Sequence, residues 1–288
     1  MKPSQSLTIP VRGLNLHCRR WGAASEHQLF LLHGFQDSSA SWQFTVDALS
    51  DHWQVIAPDW RGYGQSDWAA GDTYGFFDHL ADLDALLAHF RRTSRPGWSA
   101  TTWAARSRRS CRQPPRAGAQ LDQHRQVRHR RGPPGSGPRR LGKWLSQLRE
   151  PVGQRRYESF EAFAQRLQAE NPRLTDERAL FLATHWGRES PDGGVERRAD
   201  PAHSRLNPLP LPTSDMLDCW REDPRAGVVD WGEHSPQTAR LMSEPLALEE
   251  RLQAYAELYR DTVADAGHNV HHDQPEALAR AIEKFLFG

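Results

Sequence analysis

Two short apolar runs, residues 29–32 (LFLL) and 55–57 (VIA), each stop abruptly at a turn rich in glycine and polar side chains. Continuous apolar runs of this length, closed by turn residues, suit strands buried on both faces of a sheet. The first run leads into His33-Gly34-Phe35-Gln36. The second leads into Asp59-Trp60-Arg61-Gly62-Tyr63-Gly64-Gln65-Ser66-Asp67. Residues 78–90 then place Leu80, Leu83, Leu86 and Leu87 along one face of a helix. Buried strand, turn and amphipathic helix in this order point to an α/β layered domain with a mostly parallel sheet.

The pattern stops near residue 93. Arg, Pro, Gly and Ser dominate residues 93–140, and no apolar face is present to offset the entropy of ordering them. This stretch is expected to be poorly ordered. Helical spacing returns in residues 141–150, 157–172 and 174–187, with Thr175 placed to cap the last of these. Near the C-terminus, Asp265-Ala266-Gly267-His268 is followed by His271-His272-Asp273-Gln274-Pro275. The proline sits where a helix can open without needing its missing N–H, and residues 277–287 suit that helix.

Composition narrows the classes. The 288 residues carry a formal net charge of +1, so no global field favours nucleic acid or a membrane surface. The three cysteines, Cys18, Cys111 and Cys219, form neither a metal spacing nor a disulfide framework. The first residues lack the apolar segment of a signal peptide, and no run approaches the ~18–20 apolar residues that span a bilayer. A cytoplasmic location is the expectation.

The two ends of the chain resemble the α/β-hydrolase superfamily, in its cap-bearing, serine-hydrolase-like branch. The resemblance rests on HGFQ after an apolar run, DWRGYGQSD after the next, and AGH before the final helix. It implies an α/β-hydrolase fold whose core is divided by an inserted helical cap. Residues 1–140 would form the first half of the core, 141–215 the cap and 216–288 the second half. Gly34 would allow the tight turn, and the Phe35 amide would face a developing oxyanion. The loop from Asp59 to Asp67 would be structural, its Asp and Ser satisfying backbone groups. His268 would be the general base. Ser235 stands where many relatives carry the triad aspartate, which leaves as the acid either Glu233, the nearest carboxylate, or an aspartate that only a shifted frame of residues 121–130 would supply. His271 and His272 with Asp273 invite a metal reading, but ligands so close in sequence seldom share one ion. Contacts with loops or cap are expected there, and no metal or cofactor is implied.

The nucleophile is the weak point. The family carries a strand, a nucleophile elbow and a helix just after residue 90. Here Gly97-Trp98-Ser99-Ala100-Thr101 is a partial match with no apolar strand before it and threonine at a glycine position. Ser99 is the candidate nucleophile in the chain as written, and little turnover is expected of it. A one-base shift lets the codons of residues 98–105 read V-G-H-x-M-G-G. The other shifted frame turns residues 121–130 into a strand-and-loop pattern and residues 222–232 into the seventh strand of the fold. A displaced reading frame accounts for these matches. A basic linker is the competing account.

The implied activity is hydrolysis of an ester-like small molecule by nucleophile, histidine and acid. One alternative is an aspartate-nucleophile hydrolase of the haloalkane dehalogenase or epoxide hydrolase type. It fits the shifted codons but not Gln36, where such enzymes usually carry proline. The other is a non-catalytic protein whose basic segment binds nucleic acid.

Overall fold

The computed structural model describes residues 1–25, 27–71, 74–93, 136–209, 213–222, 227–236, 239, 243, 249, 251–255 and 258–287. The core opens with an antiparallel hairpin, β1 (Ser4–Val11) and β2 (Leu14–Trp21). Then come β3 (Gln28–Phe30), a 3-10 turn at Ser39–Trp42, α1 (Gln43–Ala48), β4 (Gln54–Pro58) and α2 (Phe76–Thr93). These four strands form one sheet in the order β1-β2-β4-β3. β3 and β4 run parallel, and Leu31 extends their ladder with an N–H to the Ile56 carbonyl at 3.0 Å.

Both predicted apolar runs are buried strands, as continuous apolar sequence requires. One face of the sheet packs under α2, where Leu83, Leu86, Leu87 and Phe90 meet Leu16, Phe30 and Ile56. The other face packs under α1 and the C-terminal helix, joining Leu29, Leu31, Val55 and Val46 to Leu278 and Ile282. Helices therefore cover both faces of the sheet.

The inserted segment has its own core. It begins with α3 (Ser136–Arg149), β5 (Arg156–Tyr157), α4 (Phe160–Glu170) and α5 (Asp176–Trp186). Strands β6 (Gly187–Glu189) and β7 (Val195–Arg197) and a 3-10 turn at Pro201–Ser204 follow. Phe163, Leu167, Ala179, Leu182 and Val195 pack together between α4, α5 and the small sheet β5-β7-β6. The helices match the sequence pattern. The small antiparallel sheet is not anticipated by the sequence pattern. Thr175 caps α5 by accepting from the Arg178 N–H at 3.2 Å, and Ser159 does the same for α4 through the Ala162 N–H.

The last part contains α6 (Thr213–Arg221), β8 (Gly227–Gly232), β9 (Leu258–Val263), α7 (Val270–Asp273) and α8 (Pro275–Phe287). β8 pairs in parallel with β9 from Gly227 to Gly232. The residues as written thus make a strand where the shifted frame also predicts one. Residues 94–135, which hold Ser99, Cys111 and most of the expected disordered stretch, lie outside the described residues. Residues 136–140 fall within α3. Among the described residues, no helix is long and apolar enough to cross a membrane.

Candidate active site

The turn after β3 is held by its histidine. Trp60 donates its amide N–H to His33 Nε2 at 3.0 Å, so that nitrogen is the acceptor and Nδ1 carries the hydrogen. Nδ1 donates to the Gly34 carbonyl at 2.8 Å, and the Trp60 indole donates back to the His33 carbonyl at 2.9 Å. A buried ring thereby joins the turn after β3 to the loop after β4. Gly34 is partly buried, and the Phe35 side chain is exposed, edge-on to Tyr63. Gln36 has φ of 59°, a left-handed conformation unusual without glycine. Arg197 of the cap reaches its carbonyl at 3.5 Å.

The loop after β4 winds around one buried carboxylate. Asp59 accepts from the Ser39 N–H at 2.6 Å, the Gln65 N–H at 2.9 Å and His17 Nδ1 at 2.8 Å. Burial pushes this carboxyl up, but its interactions with His17, then with His33 and the Gln65 N–H, outweigh it and hold it below its ordinary value. Ser66 Oγ donates to the Asp59 carbonyl and accepts from the His17 N–H. Arg61 forks onto the fully buried Asp82 of α2 at 2.5 and 2.6 Å. The structural role given to this loop by its sequence is what these contacts describe. The loop also receives the cap: Gly64 N–H donates to the Arg198 carbonyl at 2.8 Å, and the His203 ring stacks between Tyr63 and Tyr74.

The loop after β9 carries His268, which is partly buried. Around it the backbone is tightly tied. Asp265 has φ of 53°, and Gly267 donates to Asp273 Oδ2 at 2.7 Å. The turn after β8 bonds to the turn after β9: Glu233 N–H to the Val263 carbonyl at 3.0 Å, and His234 N–H to the Ala266 carbonyl at 2.8 Å. Glu233 is exposed, and its carboxylate accepts from the Asp265 N–H at 3.2 Å. Ser235 is buried.

The two loops meet through residues whose partnership the sequence does not show. Asp37, four residues beyond His33, is buried against His271 and His272. His271 Nε2 donates to Asp37 Oδ2 at 3.1 Å, and its ring stacks on Trp42 at 4.4 Å. Asp37 Oδ1 accepts from the Ser38 N–H at 2.6 Å and from the Ser41 hydroxyl. The Trp186 indole N–H of the cap donates to Ser41 Oγ at 3.0 Å. Burial, then the neighbouring His272, pushes His271 down to about 4, so it is neutral at pH 7. Burial opposes ionisation of Asp37, yet the hydrogen bond from His271 and the nearby His272 ring hold its carboxyl well below its ordinary value.

Asp273 is not part of this cluster. It turns to the Gly267 amide and to Asn171 Nδ2, at 2.6 Å, while Arg178 holds the His272 and Asp273 carbonyls. The expected loop and cap contacts of this segment are therefore present, and the carboxylate beside the histidines comes from the other end of the chain. Between turn and cap lies a cleft of about 230 Å³, bordered by Gln36, Tyr63, Tyr157, Arg197 and His203.

Comparison with known proteins agrees with this architecture. Residues 28–94 match the family model described as alpha/beta hydrolase fold. The structure resembles the thioesterase domain from the curacin biosynthetic pathway with a TM-score of 0.82, covering 98% of this chain and 99% of that one at 20% identity. The fold is that of the α/β hydrolases, and the N-terminal part of the core matches the model of that family. Among curated relatives, the epoxide hydrolase of Caballeronia sordidicola is 32% identical over 104 residues, which is 32% of this chain and 31% of that protein. The haloalkane dehalogenase of Bradyrhizobium diazoefficiens is 37% identical over 78 residues, covering 27% and 25% respectively. The matched stretches thus span a third or less of those relatives.

Proposed function

We propose that this chain carries the framework of a small-molecule hydrolase acting on an ester-like substrate. The carrying observation is the contact between Asp37 and His271, which brings the loop bearing His268 against the turn bearing Phe35. In an open α/β sheet, the loops at the carboxyl ends of the strands line the reactive edge. His268 would take the nucleophile's proton, and the Phe35 amide with the amide after the nucleophile would hold the oxyanion. The orienting acid is Glu233 or a carboxylate supplied after a corrected frame. Glu233 as described already serves the Asp265 amide, which favours the second choice. The nucleophile belongs between residues 94 and 135. Ser99 is the serine there that partly fits an elbow, and a displaced frame remains our account of its poor setting.

An aspartate nucleophile is the second reading. It is favoured by the curated relatives named epoxide hydrolase and haloalkane dehalogenase. The two chemistries part at the substrate: an ester is cleaved by acyl transfer, whereas an epoxide or haloalkane is opened by displacement at carbon. The coding DNA across residues 90–140 and 205–232 is resequenced first. The frame-verified protein is then offered a short p-nitrophenyl ester, a terminal epoxide and a short bromoalkane. Ester turnover through an acyl-enzyme seen by mass spectrometry is the expected result. Halide release or diol formation through an alkylated carboxylate would replace the first reading with the second.

A further inference from the structure

We propose that Asp37, His271 and His272 form a binding site for a zinc(II)-class transition-metal cation, set where the loop after β9 meets the turn after β3. This proposal stands apart from the hydrolase reading, because none of the three residues is assigned to the reaction.

The geometry comes first. Asp37 Oδ2 lies 3.1 Å from His271 Nε2 and 3.6 Å from His272 Nε2. Ligand atoms of the three residues all lie within 4.8 Å of one another. Around a tetrahedral ion with metal–ligand distances of about 2.0–2.1 Å, neighbouring ligand atoms stand roughly 3.3 Å apart. The two Asp37 separations bracket that value. Two imidazoles and one carboxylate are also a donor set that zinc uses, with a further position left for an exogenous ligand.

Polar bookkeeping points the same way. His272 Nε2 is buried and makes no hydrogen bond. At 3.6 Å its approach to Asp37 is too long to count as one. A buried ring nitrogen without a partner is unfavourable whether it carries a hydrogen or a lone pair. A cation among the three side chains would satisfy it. The other Asp37 oxygen is already bonded to the Ser38 amide and the Ser41 hydroxyl, support of the kind that orients a ligating carboxylate. The rings are held in place as well, His271 against Trp42 and His272 against Trp186 at 5.6 Å. All three residues are at least nine-tenths buried.

Binding would move the His271 hydrogen off Nε2, to Nδ1 or to solvent, so that both Nε2 lone pairs face the ion. The ion would then join the turn after β3 to α7, three residues from His268. A second group, Glu233, His234 and Asp265, also has ligand atoms within reach of one another, but it is exposed and has a single imidazole. It serves as the internal control.

The test uses the purified full chain with zinc(II) or cobalt(II) alone. The expected result is saturable, near-stoichiometric binding, visible ligand-field bands for cobalt(II), and a zinc-dependent rise in thermal midpoint. His272→Phe keeps the ring and removes its nitrogen, and it should lose both the bands and the rise. His234→Asn should keep them. X-ray absorption on the zinc-loaded parent gives a readout that needs no variant to fold, and two imidazole ligands are expected. Absence of saturable binding, survival of binding in His272→Phe, loss in His234→Asn, or fewer than two imidazoles would each overturn the proposal.

Discussion

Gly64 shows how much one residue decides in this molecule. Its φ is +56°, and a β-carbon there would stand 2.2 Å from Asp59 Oδ2. That carboxylate cannot step aside, because it holds the Ser39 amide, the Gln65 amide and His17 together. Gly64→Ala is therefore expected to destabilise the protein by more than about 1 kcal/mol. A urea denaturation midpoint equal to that of the parent would contradict this. The glycine and the aspartate were legible as turn chemistry in DWRGYGQSD, since both act within a few residues of each other. Asp37 was not legible. Its partner His271 lies 234 positions away, and no local pattern links them.

At the scale of elements, what could be read was what periodicity and caps encode. The helix α5 carries its own start signal in Thr175, and α8 opens on Pro275. The buried strands β3 and β4 are apolar throughout, so burial on both faces writes them plainly into the sequence. The β1–β2 hairpin went unread for a physical reason. Much of β1 faces solvent, and its turn uses Arg12 at φ 49° before Gly13, not the Asn-Gly or Asp-Gly pair that advertises such a turn. The strands of the cap sheet are two or three residues long, too short for any alternation to show. The helical pattern legible from Leu141 begins earlier, at Ser136 in α3, because a helix that starts in a basic, proline-bearing stretch gives little apolar signal in its first turn.

For the whole molecule, buried imidazoles set the response to acid. Burial pushes His203 down to about 3, and His79 and His271 down to about 4. The Arg61 guanidinium adds to this for His79, and adjacent rings disfavour a second proton on the pairs His79–His203 and His271–His272, while Asp78, Asp37 and Asp273 pull the other way. In the unfolded chain these rings take protons near the ordinary value of about 6.5. Below that pH the unfolded state binds protons that the native state refuses, so stability falls as pH drops from about 6.5 towards 4. Denaturation midpoints measured from pH 7 to 4.5 should decline steadily. A flat profile would mean that these rings are protonated in the native fold.

The central claim is that the two ends of the chain build one reactive edge, with His268 as its base. The most direct test is ester turnover by the frame-verified protein and its His268→Ala variant, with circular dichroism confirming that both fold. A positioned general base contributes to the transition state and little to packing, so the variant should lose about 10²–10⁴-fold in kcat with its melting curve nearly unchanged. Turnover by His268→Ala equal to that of the parent would contradict the account.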